Sequence, residues 1–363
     1  MSDCIIVGGG IIGMLTAREL QAEGADVLLL EKGLLGGESS WAGGGILSPL
    51  YPWRYGDAVN ALAKYSQQVY SSIAEQLFAE SGIDPEYIQS GLMVLDQDEN
   101  DLANTWAGQW DMQLDVLLSA SDINPYEPEL NSVVNRALWL PNIAQMRNPR
   151  LVKALAGSLE QRNINCVEHC EIQQLIEVNG VIQGVKTADD VYKADRVIVA
   201  GGAWSANIIG SHTRQPEIAP VKGQMILFKA RQGLLRTMVL SGGRYLIPRR
   251  DGRILAGSTL EHTGFEKQTT DDALHSLKQS AIELVPALAE FPIEHHWAGL
   301  RPGTQQGIPY ICQHPEIKGL YINSGHYRNG VILGAASAKL MSDLLTGKQP
   351  ELDLTPYQFE QQH

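Results

Sequence analysis

The chain has 363 residues, 44% of them hydrophobic, enough for one large domain or two ordinary ones with full apolar cores. Its formal net charge of −13 argues against a nucleic acid or an anionic membrane as partner, because either needs a basic surface. No run approaches the roughly 18 apolar residues of a membrane helix, and no signal peptide, repeat or metal-ligand spacing is apparent. The four cysteines fit buried thiols in a reducing compartment, so a soluble cytoplasmic protein is expected.

The first stretch reads DCIIVGGGIIG. The branched apolar run from Cys4 to Val7 predicts a buried strand, and Gly8, Gly10 and Gly13 follow at the dinucleotide-fingerprint spacing. A helix is expected from Ile11 to Glu23, stopping at Gly24, then a second strand from Val27 to Leu30 ending at Glu31. In such a unit the first glycine permits the turn, the second lets backbone approach a pyrophosphate, and the third lets helix pack on strand. Phosphate would sit on N–H groups at the helix start, around Ile11 and Ile12, with Glu31 accepting ribose hydroxyls and Lys32 beside it.

The segment GLLGGESSWAGGGILSPLYPW is too long for an ordinary strand-to-helix turn, and loops of this length are usually functional. Ser39 and Ser40 can donate to phosphate oxygens. Gly43, Gly44 and Gly45 let main chain come against something flat, with Ile46 next in line. A helix from Ala58 to Ser81 follows. Between Gly82 and Pro141 the character changes, with strands expected in Tyr87 to Leu95 and a polar helix from Leu102 to Leu117. Asn148 and Pro149 start another helix running to Gln161. Antiparallel strands then turn at Asn179 and Gly180, with Ile172 a candidate cofactor contact, and VYKADRVIVAGG is expected to continue the hairpin style. Val197 to Ala200 meets Gly201 and Gly202, a second strand-to-glycine junction.

From Pro220, VKGQMILFKA and GRYLIPRRDGRILAGST read as strands, with Asp251 and Gly252 at a turn and a helix from Asp271 to Leu284. HHWAGLRPGTQQGIPYI is expected to return to the idiom of the first unit. Leu320 to Asn323 is a strand turned by Gly325, and Asn329 to Leu345 a helix. The start of that helix would bring His326, Tyr327, Arg328, Asn329, Gly330, Val331 and Ile332 to a cofactor. The fold class is therefore α/β (α+β overall). A Rossmann-like nucleotide domain spans 1–85, 142–219 and 296–363, and an antiparallel-sheet substrate domain, inserted in two pieces, spans 86–141 and 220–295.

Three separated glycine junctions favour FAD over NAD, since a buried FAD is enclosed along its length. Together with PVKGQM, YLIPR, AGLRPGT and SGHYRNGVIL, these motifs resemble the D-amino-acid oxidase family of flavoenzymes over essentially the whole chain, and within it the branch that oxidises glycine for thiamine thiazole synthesis. The resemblance implies oxidative deamination of glycine, sarcosine or small D-amino acids by hydride transfer to flavin, without a side-chain base. Molecular oxygen would be reduced to peroxide, and the imine would hydrolyse to a 2-oxo acid such as glyoxylate, with ammonia. It also implies that Arg301 grips the substrate carboxylate, that Arg328 lines the same pocket, that Tyr245 adds a hydroxyl and that Leu260 faces the α-carbon. A homo-oligomer, such as a tetramer, follows from the same resemblance. The chain departs from the family pattern at Gly243, where a histidine is usual, and at Leu260, which replaces a methionine. The alternative is a dehydrogenase that passes electrons to a quinone or a partner protein; a third reading is a flavin protein without turnover.

Overall fold

In a computed structural model that describes residues 2–96, 98–210 and 213–359, Cys4–Val7 and Val27–Leu30 are strands buried at every position. The helix Ile11–Ala22 joins them, and they pair in parallel at the middle of a six-stranded sheet. From edge to edge the sheet runs Tyr310–Gln313, Leu320–Ser324, Val197–Val199, Cys4–Val7, Val27–Leu30, Asn165–Val167. Only the Tyr310–Gln313 edge is antiparallel. Parallel strands must be covered on both faces, which accounts for runs that are apolar throughout. Ile6, Leu29 and Ile198 face a core shared with the helices Ile11–Ala22, Asp57–Ser81, Asn148–Gln161 and Gly330–Thr346. Ile5, Leu28 and Val197 face the opposite side, under the three-stranded sheet Gln174–Val178, Val181–Lys186, Val191–Lys193.

The second sheet has eight strands, in the order Ile293–Gly303, Ala219–Phe228, Ile254–Gly257, Arg244–Pro248, Met238–Ser241, Leu92–Val94, Ala137–Leu140, Asp115–Leu117. It is antiparallel except where Met238–Ser241 runs parallel to Leu92–Val94. The helix Asp271–Leu284 packs against it through Leu277 and Ala281.

Several expectations change. The strand expected over Tyr87 to Leu95 contracts to Leu92–Val94. The polar helix ends at Gln109, and Asp115–Leu117 is a strand. Asp111 turns the chain at φ 50°, and the Lys64 ammonium takes the Trp110 and Asp111 carbonyls at 2.8 and 3.1 Å, so the helix cannot continue. Val197–Val199 leaves the hairpin and joins the parallel sheet, where both of its edges are paired. HHWAGLRPG does not return to the first sheet. Residue 296, the expected point of return, lies inside the strand Ile293–Gly303, which pairs along Ala219–Phe228 from Ala219 opposite Gly303 to Phe228 opposite Ile293. Among the described residues, no helix is long and apolar enough to cross a membrane.

Gly13 is where helix meets strand most closely: a Cβ there would stand 1.9 Å from the Gly8 carbonyl oxygen. Gly13→Ala should therefore cost about 1–3 kcal/mol by forcing the helix off the sheet. Urea denaturation would measure it, and a midpoint equal to the parent's would contradict the packing.

Candidate active site

The carboxyl ends of Cys4–Val7, Val197–Val199 and Leu320–Ser324 open on one side of the parallel sheet, the place where open α/β sheets take ligands. A cavity of about 310 Å³ begins there and reaches the second sheet at Tyr245 and Arg301. At Gly8, φ is 115° and a Cβ would lie 2.4 Å from the Ala200 carbonyl, so only glycine lets these two strand ends approach. Ser40 Oγ accepts the Ile11 N–H at 2.9 Å, which ties the long loop, here carrying the short helix Ser39–Ala42, to the helix start.

The Glu31 carboxylate lines the cavity and accepts the N–H groups of Gly9 at 2.7 Å and Gly33 at 2.8 Å. It thus shapes the glycine turn as well as presenting charge. Lys32 stands beside it with its ammonium 3.2 Å from the centre of the Trp204 ring. Among the residues expected to meet a cofactor, Gly13 and Gly325 do not line the cavity: the first packs helix on strand, and the second turns the chain at φ 87° against Thr304. The others do. Leu260 also lies outside the lining and is 48% exposed, unlike Arg301, Arg328 and Tyr245, which the cavity joins.

The lining suits a long polar ligand. The helices Ile11–Ala22 and Gly330–Thr346 both start at the cavity with no acid in the first turn, and the only side chain seen on their first N–H groups among the described residues is Ser40 at Ile11, so their N-termini keep much of their partial positive charge. Asn148 Oδ1, Asn323 Oδ1 and Asn329 Nδ2 are buried at the lining without a hydrogen-bond partner among the described residues. Buried polar atoms are normally satisfied, so three on one cavity point to groups that a ligand supplies.

Arg301 sits at the other end. Its Nη2 donates to Ser258 Oγ at 2.7 Å and its Nη1 to the Thr259 carbonyl at 3.2 Å, both neutral acceptors. Among the described residues neither Arg301 nor Arg328 is in an ion pair. Burial lowers the proton affinity of Arg301, the phenol of Tyr245 works against that, and the charge of Arg328 adds to it. A cation desolvated without an anion is costly, and a ligand carboxylate would complete it. Gly223 makes the space, since a Cβ there would fall 2.1 Å from Arg301 Nη2.

Asn148 and Arg249 were not foreseen as contributors. Asn148, expected only to start a helix, reaches the Ser40 carbonyl at 2.7 Å. Arg249 is buried, where burial pushes its guanidinium down to about 10, and it holds the glycine loop by donating to the Gly44 carbonyl at 2.7 Å. The alternation Tyr245, Ile247, Arg249 along one strand face was the available signal. His326 is buried with Nε2 2.9 Å from Ser337 Oγ, and burial pushes its imidazole down to about 3. Among the described residues no cluster could hold a metal ion.

Residues 3–344 match the profile of the FAD dependent oxidoreductase family. A glycine oxidase of Pseudomonas putida is 49% identical over 97% of this chain and 97% of its own. A bifunctional protein ThiO/ThiG of Nostoc sp. is 27% identical over 98% of this chain and 54% of its own length. The crystal structure of glycine oxidase from Geobacillus kaustophilus superposes with a TM-score of 0.93 at 29% identity, covering 98% of each chain.

Two outcomes test this geometry. Gly223→Ala should displace the Arg301 guanidinium and weaken acetate binding, read by calorimetry, by ~10-fold or more, the worth of a charge-assisted contact. His326 has a folded-state pKa of about 3 against the usual 6.5, so the unfolded chain takes up the proton first as pH falls. Its contribution to stability is complete above about 6.5 and lost toward about 3. His326→Gln should flatten that part of the stability profile, and an unchanged slope between these limits would refute the burial.

Proposed function

We infer the reaction from one premise: the chain belongs to the FAD-dependent oxidoreductase family. It is an FAD-dependent amine oxidoreductase of the glycine oxidase type, converting glycine, oxygen and water into glyoxylate, ammonia and hydrogen peroxide. Sarcosine and small D-amino acids belong to the same substrate class. The observation that carries the reading is Arg301, a half-buried guanidinium facing the cavity with only neutral acceptors around it.

The residues present fit the cofactor. Gly8, Gly10, Ile11, Ile12, Ser39 and Ser40 would hold the pyrophosphate, and Glu31, Lys32 and Ile172 the adenosine side. Gly44 to Ile46 and the start of Gly330–Thr346 would hold the flavin. Bound FAD supplies the two-electron acceptor. Arg301 binds the substrate carboxylate through two N–H groups and so fixes the α-carbon. Tyr245, whose ring lies against Gly44 and Gly257, turns its hydroxyl toward the carboxylate or the amine. As the α-hydrogen leaves, the amine lone pair forms the C=N bond, so no side-chain base is needed. His326 stays neutral beside Ser337, and the uncapped N-terminus of Gly330–Thr346 stabilises developing negative charge.

The family resemblance further supports a cytoplasmic homo-oligomer, and together with the ThiO/ThiG relative it supports a role in thiamine thiazole formation. The oxidase reading is favoured over transfer to a quinone or partner protein, since the Pseudomonas putida relative and the Geobacillus kaustophilus structure, each matched over nearly the whole chain, are named glycine oxidases.

Arg301→Ala should raise KM for glycine by ~100-fold, the upper range for a charged hydrogen-bonded contact, while glycine ethyl ester, which lacks the carboxylate, is affected little. Equal losses on both would sink the assignment. Bleaching of the flavin by glycine without air, followed by rapid recovery on admitting air, identifies oxygen as the acceptor; recovery only with a quinone would identify the alternative.

A further inference from the structure

Along Ala219–Phe228 successive side chains alternate between faces, so Gly223 shares the Arg301 face while Lys222 and Gln224 point behind the sheet. Lys222 is 2% exposed, and its ammonium pairs with Glu261 Oε2 at 2.9 Å and donates to the Gln268 carbonyl at 3.2 Å. Glu261 Oε1 accepts Gln224 Nε2 at 2.8 Å and the Thr259 hydroxyl. The backbones of Lys222 and Glu261 exchange both N–H···O bonds at 2.9 Å. Gln224 donates its own N–H to Thr259 Oγ1 at 2.8 Å and accepts the Thr270 N–H at 2.9 Å.

This cluster fixes residues 258–261, and Arg301 hangs on the same residues from the other side. Its acceptors are Ser258 Oγ, the Thr259 carbonyl and, at 3.4 Å, the Lys222 carbonyl. We propose that Glu261 and Lys222 are positioning residues for Arg301: their ion pair behind the sheet locks the segment whose neutral acceptors aim the guanidinium at the cavity. The pair does a second thing. It engages the Glu261 carboxylate on the far face, so that the anion nearest to Arg301 in this segment does not compete with the substrate. Neither residue touches the substrate. The inference rests on the reading of Arg301 as the carboxylate anchor.

The test uses the holoenzyme, with glycine, glycine ethyl ester and glycolate, a carboxylate of glycine's size that lacks the amine, whose binding is read from the flavin spectrum. Glu261→Gln should raise KM for glycine and Kd for glycolate by ~10-fold, the worth of one misplaced charge-assisted contact, with a much smaller change in kcat and little change for the ester. Lys222→Met should behave alike, and Lys222→Arg, which keeps the ion pair, should recover most of the loss. Parallel losses on glycine and ester, or none, would overturn the proposal. Should the charge variants fail to fold, Gln224→Met removes the amide that links Glu261 to Thr270 while leaving the ion pair; a smaller shift in the same sense is expected, and none would overturn it. If the parent enzyme fails to oxidise glycine, the proposed function falls, and the glycolate titrations still read whether Glu261 positions Arg301.

Discussion

The register between Ala219–Phe228 and Ile293–Gly303 decides where the chemistry can happen. It sets Val221 opposite Arg301 and brings the guanidinium over Gly223, the one residue type that leaves room for it. A slip by one residue would send Arg301 to the back of the sheet, among Lys222 and Gln224, and the cavity would lose its cation. Ala219–Phe228 is long and is paired on its other side with Ile254–Gly257, so the sheet has little freedom to slip. Strong specification of register is thus a functional requirement as well as a folding one.

The first sheet supplies what the second cannot. Side chains on the second sheet present one anchored cation and a phenol, whereas the first sheet's side of the cavity presents backbone N–H groups, two helix starts and three asparagines with polar atoms unsatisfied among the described residues. Arg249 links the two: it rises from the second sheet and holds the Gly44 and Met146 carbonyls of the segments that close over the first. A buried arginine satisfied by three carbonyl-type acceptors fixes these segments against each other, because any slippage would leave its charge desolvated and unpaired.

What the sequence revealed follows from the range of the forces involved. Cys4–Val7, Val27–Leu30 and the helix Asp271–Leu284 are legible because apolar runs, glycines and helical spacing are local signals. Leu92–Val94 and Asp115–Leu117 are too short for alternation to show, and they are strands only because distant edges accept them. AGLRPGT singled out Arg301 but not its sheet, because its partner strand lies far back in the chain. Arg249 and Arg250 are alike to composition, yet one is buried against Gly44 and the other is a surface partner of Asp84. Most expected cofactor contacts gather at one cavity because they follow glycine junctions, which mark close approach; Leu260, picked without such a signal, falls outside.

The two departures from the family pattern bear on how this pocket discriminates. At Gly243 φ is 75° and a Cβ would meet nothing within 4 Å, so the glycine answers a backbone need and not a crowded site. Its N–H donates to the Tyr51 hydroxyl at 2.9 Å, which in turn donates to Asp96, and its carbonyl accepts from Arg328 at 3.4 Å. Main chain at this turn thus steadies Arg328. Leu260, half exposed, leaves the wall of the cavity to Tyr245, Ser258 and Arg301. With Arg301 as the proposed carboxylate anchor, selectivity for small substrates would rest on the spacing between two guanidiniums and one phenol, set by backbone contacts, rather than on an apolar side chain filling the space. Such a pocket would reject a ligand that lacks the carboxylate far more strongly than one that carries an extra methyl, since a desolvated charge left unpaired costs more than a displaced methylene.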